Sequence, residues 1–363
     1  MKILDVTTTT LFYPEPATPS RPAGKGRSQL FVHVKTDAGI EGLGLGQAFP
    51  GVRQIVESDI KRVLLDQDPS NTERLWAEMH RAVLSHGRKG ASMCALSAVD
   101  IALWDLKAKA LGLPLFQLLG AYSDSVELYG SGGGSNLPVA ELTREMKAWT
   151  DRGARRLKMK VAKDNGRAER EDIERVAAVR EAVGWNVALY VDALGAYSTK
   201  QAVYMAREFE EYQVGWIEEP VQPEDFSGLS QVAGATDIPI AAGENEYNLS
   251  GLRELLTVGG VDILQPDARR MGGVTEWMKA AHLAHAFNTP VAPHAGQLLH
   301  IHLGCAVPNF KAVEARENEL EADIAWYKDV PKPRNDRWAP FPDRPGLGLE
   351  LNPYAVEKWS VAG

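Results

Sequence analysis

Three carboxylates in the 363-residue chain each close a short apolar run: Ala188-Leu189-Tyr190-Val191-Asp192, Val214-Gly215-Trp216-Ile217-Glu218 and Pro239-Ile240-Ala241-Ala242-Gly243-Glu244. Their spacing is regular, since 218 less 192 and 244 less 218 both give 26. That interval suits one strand, one helix and two short connections. Acids at the C-terminal ends of successive strands of a parallel barrel converge on one point, the face where such barrels carry out chemistry. Left unpaired there, Asp192, Glu218 and Glu244 would repel one another strongly. A hard divalent cation resolves this, and Mg²⁺ suits a site with few carboxylates where substrate completes the shell. No histidine is placed to join them, which argues against zinc.

Other reactive side chains fall in the same stretch. Lys158 and Lys160 flank Met159 on a strand, so both ammonium groups face one side. In isolation this pattern marks a solvent-facing strand edge. Inside a barrel both lysines would meet the acids, and each is expected to depress the other's pKa until one can act as a base. Asp267 closes the strand Asp262-Ile263-Leu264-Gln265-Pro266, and His294 closes Pro290-Val291-Ala292-Pro293. On adjacent strands the carboxylate would orient the imidazole and raise its proton affinity, making a second acid/base. Glu314 ends the last strand and is expected to donate a hydrogen bond if it is held protonated near the other acids. Glu219 and Glu246 read as flanking or surface groups, and His282, His285, His300 and His302 as structural.

These residues need a scaffold, and the chain supplies alternating patterns for one. Residues 1–13 and 29–36 read as strands of a small antiparallel sheet. Between them the Pro- and Gly-rich segment from Pro14 to Ser28 carries Arg21, Lys25 and Arg27, either as a linker or as a lid over an anionic ligand. Glu41-Gly42-Leu43-Gly44-Leu45-Gly46 lacks the spacing of a nucleotide-binding loop and reads as a structural glycine turn. Apolar residues at three- and four-residue intervals then predict helices over 52–65, 72–84 and 92–111, the last stopped by Gly112 and Pro114. The first part is thus α+β.

From Val126 the pattern becomes strand and helix in turn. Strands are expected near 126–130, 155–161, 187–191, 214–218, 238–243, 261–265, 290–293 and 311–314. Helices are expected near 138–151, 167–183, 198–213, 224–235, 248–257, 272–287 and 297–306. Eight strands and seven helices make a (β/α)7β barrel, a modified TIM barrel of the α/β class. An open doubly wound sheet fits the alternation equally, but it would spread the three acids along a line. The Pro-rich tail is expected to return to the first part as an extra strand. The expected domains are 1–125 with 330–363, and 126–329.

Composition narrows the function. A net charge of −8 argues against nucleic acid, yet it allows a small anionic substrate in a local cationic site. Cys94 and Cys305 form no paired motif, which suits a reducing compartment. The N-terminus lacks a signal-peptide pattern, and no apolar run approaches the roughly 20 residues that span a bilayer. The expectation is a cytoplasmic homo-oligomer that binds neither nucleic acid nor membrane.

The combination of Lys-x-Lys, three evenly spaced acids and an Asp/His pair resembles the enolase superfamily and, within it, the mandelate racemase subgroup. The likeness extends to Ala102-Leu103-Trp104-Asp105-Leu106-Lys107, Pro114 to Gly120, Trp216-Ile217-Glu218-Glu219-Pro220, Gly272-Gly273 and Pro345-Gly346-Leu347-Gly348. It implies an N-terminal capping domain, one Mg²⁺ per subunit on Asp192, Glu218 and Glu244, and abstraction of the proton α to a carboxylate through an enediolate. It further implies Lys160 as one base, His294 set by Asp267 on the opposite face, and Lys158 and Glu314 as contacts to the substrate carboxylate. One position departs from the pattern: Leu194 stands where subgroup members often carry Asn.

Acid-sugar dehydration to a 2-keto-3-deoxy acid is the leading expectation, with Arg21 and Lys25 as further substrate contacts beside Arg27, Arg88 and Lys89. A racemase, epimerase or sugar-lactone cycloisomerase would use the same Lys160/His294 pair. A non-catalytic sugar-acid binder is the remote third reading.

Overall fold

The structure is a computed structural model that describes residues 1–15 and 24–361. Strands β1 (Ile3–Pro14), β2 (Gly26–Thr36) and β3 (Glu41–Gln47) form an antiparallel sheet in that order. The glycine-rich segment is strand β3 itself rather than a turn. Its glycines let the helix Ala91–Leu111 lie directly on the strand: a Cβ at Gly44 would sit 1.9 Å from the Ala98 carbonyl oxygen, and one at Gly42 would sit 2.1 Å from that of Ala102. The helix is buried along most of its length, and its mostly apolar sequence takes Ser92, Ser97, Asp100 and Asp105 into the interior with it. The helical stretch expected over 52–65 carries a π-turn at Val56–Ile60, and the helix expected at 72–84 spans Thr72–Val83.

From Val126 the parallel strands run β4 (Val126–Gly132), β5 (Arg156–Lys160), β6 (Ala188–Asp192), β7 (Val214–Glu218), β8 (Ile240–Ala242), β9 (Ile263–Leu264) and β10 (Val313–Arg316). Sheet order is β10-β4-β5-β6-β7-β8-β9, and every neighbouring pair is parallel. Val291 closes the ring, bridging to Leu264 of β9 on one side and to Phe310, just before β10, on the other. It is a barrel, not an open sheet. The seven connecting helices fall within three residues of their expected bounds. Among the described residues no helix is long and apolar enough to cross a membrane.

The tail returns, but not as a full strand. Arg337–Trp338 (β11) pairs antiparallel with β4, and the helix Pro353–Trp359 packs on β1, where Tyr13 and Trp359 meet edge to face at 5.4 Å. Beyond that helix, Ser360 bridges to Leu11 and the Val361 amide donates to the Thr10 carbonyl at 3.0 Å. Pro353 at the first helical turn, with Asn352 accepting from the Tyr354 amide at 3.0 Å, starts a helix where an extended strand was expected.

Asp105 fastens β3 to this tail, accepting from the Leu43 and Leu347 amides, each at 2.7 Å, and from Lys109 Nζ at 2.7 Å. Asp100 fastens the same helix to the barrel helix Gly273–Ala286 through the Thr275 amide at 2.9 Å and hydroxyl at 2.6 Å.

Candidate active site

Strand alternation builds the site in two layers. Tyr129, Tyr190, Trp216, Ala241, Ile263, Ala292 and Ala312 form a buried inner layer, in which Tyr190 stacks on Trp216 at 3.5 Å and Tyr129 meets Trp216 edge-on at 5.1 Å. Two residues further along their strands stand Ser131, Asp192, Glu218, Gln265, His294 and Glu314. Each chemical group thus rests on a packed floor. Glu244 comes one residue later than this rule predicts, after Gly243 (φ 123°) has turned the chain out of β8.

The geometry brings most of the expected residues together. Lys160 pairs in register with Asp192, and Asp192 with Glu218. Lys158 is buried over the Tyr129 ring, bonds to Glu218 and lies 3.1 Å from Glu314 Oε1. His294 Nδ1 is 3.0 Å from Asp267 Oδ2, and its Nε2 is 3.7 Å from Glu244 Oε1. Lys160 and His294 therefore stand at opposite ends of the row of three carboxylates. Glu219 and Glu246 are both buried, and Glu246 pairs with Lys89 at 3.3 Å.

Two expectations about protonation are corrected. Lys158 is not depressed: burial favours loss of its proton, but Glu218 and Glu314 outweigh that and hold the ammonium well above the ordinary lysine range. Glu314 is an acceptor, not a protonated donor. Burial alone would raise its pKa, but Lys158 and Arg316 draw it well below the usual carboxylate range, and it accepts from Ser131 Oγ at 2.6 Å and the Ala295 amide at 2.7 Å.

Of the basic residues expected near the entrance, Arg21 lies outside the described residues. Lys25 is exposed at the approach to β2. Arg27 instead pairs with Glu319. Leu194 holds a left-handed backbone (φ 55°) with its side chain 49% exposed, and its amide donates to Asp192 Oδ1 at 2.9 Å.

Sequence reasoning missed Gln265, Arg269 and Arg270. Gln265 Nε2 donates to Glu218 Oε2 at 2.6 Å, Arg269 grips Asp267 with two side-chain nitrogens, and Arg270 reaches the Glu244 carbonyl at 2.9 Å. The signal was present for Gln265, which lies two residues before Asp267 on an inward-facing register. The arginines follow Asp267 in a loop that no periodicity describes.

The donor set fits a hard cation. Burial, opposed by Lys158 and reinforced by Asp192, Glu314 and Glu244, pushes Glu218 up to about 8, and Asp192 is raised as well. Lys158, Lys160, Arg270 and Arg316 face the four carboxylates, yet Asp192 and Glu218 are still pushed up, so these two gain from a divalent ion. Among the described residues no three acid, imidazole or thiol side chains form a ready cage. Glu218 accepts once on each oxygen, from Lys158 and from Gln265, which leaves each oxygen a lone pair for an ion.

Two family models match the chain: the mandelate racemase/muconate lactonizing enzyme N-terminal domain over residues 5–120, and the enolase C-terminal domain-like model over 141–355. The chain belongs to this enolase-superfamily family. It is an enzyme. Among its relatives, the L-talarate/galactarate dehydratase of Salmonella typhimurium is 34% identical over 336 residues, 91% of this chain and 82% of that one. The 3,6-anhydro-α-L-galactonate cycloisomerase of Streptomyces coelicolor is 34% identical, covering 89% of each chain. The crystal structure of L-talarate dehydratase from Polaromonas sp. JS666, complexed with Mg and L-glucarate, superposes with a TM-score of 0.88 at 36% identity over 99% of this chain and 98% of that one.

Proposed function

We propose that the chain removes the proton α to the carboxylate of an acid sugar and expels the β-hydroxyl as water, giving a 2-keto-3-deoxy acid. The observation that carries this reading is the row Asp192, Glu218 and Glu244 with Lys160 at one end and the Asp267-bound His294 at the other. One Mg²⁺ per subunit, held by those three carboxylates, would supply positive charge against the negative charge that builds as the α-proton leaves. Lys160 takes the α-proton. His294, its Nδ1 engaged by Asp267, offers Nε2 as the acid that protonates the departing hydroxyl. Lys158 meets the substrate carboxylate by charge, and Glu314 accepts from a neighbouring hydroxyl. Lys25, exposed at the approach to β2, and Arg21, outside the described residues, are the basic side chains we assign to the distal end of the substrate. Residues 1–125 with 330–363 cap the site, and 126–329 carry the chemistry.

The likeness to acid-sugar dehydratases supports the lyase reading, while the similarly close cycloisomerase favours an isomerase using the same pair. Incubation of an aldonate and aldarate library with Mg²⁺, with assay of 2-keto acids and of α-deuteration in D₂O, separates them. Keto acid is expected. Exchange or inversion without keto acid would make the enzyme an isomerase.

A further inference from the structure

The imidazole of His294 is restrained from two sides. On the ring side, Asp267 is fully buried and its carboxylate is clamped by Arg269: the backbone amide and Nε reach Oδ1 at 2.8 and 3.1 Å, and Nη2 reaches Oδ2 at 3.0 Å. A two-pronged guanidinium contact fixes the plane of a carboxylate, not only its position. On the main-chain side, Ala295 and Gly296 both take left-handed backbone, at φ 46° and 57°. Their amides donate to two buried acids, Ala295 to Glu314 at 2.7 Å and Gly296 to Glu319 at 3.1 Å. A Cβ at Gly296 would stand 2.7 Å from Arg269 Nε, so a larger residue there would push the guanidinium off Asp267.

Glu319 joins these two restraints. Besides the Gly296 amide it faces Arg269 Nη1 at 3.8 Å, and it is paired with Arg27, the second residue of β2. A continuous chain of contacts thus runs from the N-terminal sheet through Arg27, Glu319, Arg269 and Asp267 to the imidazole. Among the described residues no hydrogen bond or ion pair joins Arg27, Arg269 or Glu319 to Lys160 at the other end of the site.

We propose that Arg269, Glu319 and Arg27 are positioning residues for the His294 half of the site alone, so that the start of β2 sets the orientation of one of two proton-transfer groups. The inference rests on reading His294 and Lys160 as opposed acid/base groups. A movement at the start of β2 would alter proton transfer on one face of the substrate and leave the other face unchanged. Arg27 stands near the C-terminal end of the Pro14-to-Ser28 segment, and its ion pair with Glu319 is where that end joins the path to the histidine.

The test uses the full chain with Mg²⁺ and the variants Arg27→Met, Arg269→Met and Glu319→Gln, with Arg27→Lys as the conservative control. Two readouts are taken. The first is the His294 Nδ1–H resonance in protein carrying ring-¹⁵N histidine, assigned with His294→Asn, and it requires no substrate. It is expected to be sharp in the native protein and the Lys control, and broadened by solvent exchange in the other three. The second is deuterium exchange at the α-carbon of the epimeric aldarates galactarate and L-talarate. Exchange on the His294 face is expected to fall about 10- to 100-fold and on the Lys160 face by less than about 2-fold, the scale that a misplacement of about 1 Å produces.

Equal losses on both faces would reduce the network to general structural support and overturn the inference, as would an unchanged Nδ1–H resonance. Absence of exchange by the native enzyme would instead remove the acid/base reading, and the resonance would still decide the positioning role. If Arg269→Met does not fold, Arg27→Met at the start of β2 carries both readouts.

Discussion

Two groups of carboxylates taken out of water sit in different surroundings. At the seam between the helix Ala91–Leu111 and its neighbours, Asp105 and Asp100 accept from backbone amides at Leu43, Leu347 and Thr275, groups that cannot move without the fold moving. At the barrel mouth, Asp192 and Glu314 each keep one backbone amide donor, from Leu194 and Ala295, but these two with Glu218 and Glu244 otherwise face one another and several cationic side chains. A carboxylate whose two oxygens are both held by fixed donors, with no other acid facing it, is satisfied and acts as a fastener. One whose neighbours are mobile charges can exchange an ammonium for an ion or a substrate. The residue type is the same; the donors decide the use.

The largest expected effect separates the two regions by activity. Lys160→Ala should lower turnover about 10²- to 10⁴-fold while leaving the unfolding midpoint near native, as steady-state kinetics and thermal melts would report. A comparable loss of stability would mean that mouth residues are fasteners too. Asp105→Ala should act in the opposite sense, leaving two amides buried without partners and lowering stability by about 3 kcal/mol in denaturant titrations. The folded fraction of this variant should retain native kcat.

Mg²⁺ should distinguish the regions next. At about 100 times Kd the ion should stabilise the native protein by about 2.7 kcal/mol, seen as a raised melting temperature that Glu244→Gln abolishes and Asp105→Ala retains. A shift that survives Glu244→Gln would place the ion elsewhere.

The smallest effect is a pH slope. Burial, partly opposed by the Thr275 hydrogen bonds, pushes Asp100 from its ordinary 3.8 up to about 7. Between those values the native state holds a proton that the unfolded chain has released, so this contribution to stability declines as pH rises through the window. Asp100→Asn should remove that decline, on the order of 2 kcal/mol, in unfolding titrations at pH 4.5, 5.5 and 7. His300 and His302 are pushed down to about 4 by burial and work in the opposite direction, adding stability as pH rises from about 4 to 6.5. An unaltered slope in the variant would show that Asp100 remains charged.

Much of this arrangement could be read from one chain. Strand alternation and the 26-residue interval were enough for the barrel register and for Asp192, Glu218 and Glu244, because a period of two and a repeated βα unit leave little freedom. The same reasoning brought Lys160, Asp267 and His294 to one mouth. It failed at Glu314 and Lys158, whose protonation is set by which neighbours win. It also failed at β3, where glycines looked like turn residues until the helix Ala91–Leu111 was seen lying on them.

Local pattern, then, determined which residues end strands, which face inward and which chemistry those types can perform, since backbone geometry imposes these from near neighbours alone. Tertiary structure decided the charge states at the mouth, the closure of the ring at Val291 and the path from Arg27 to His294. These depend on groups up to 292 positions apart, as Arg27 and Glu319 are. Electrostatic energy follows distance in space, and no spacing along the chain records it.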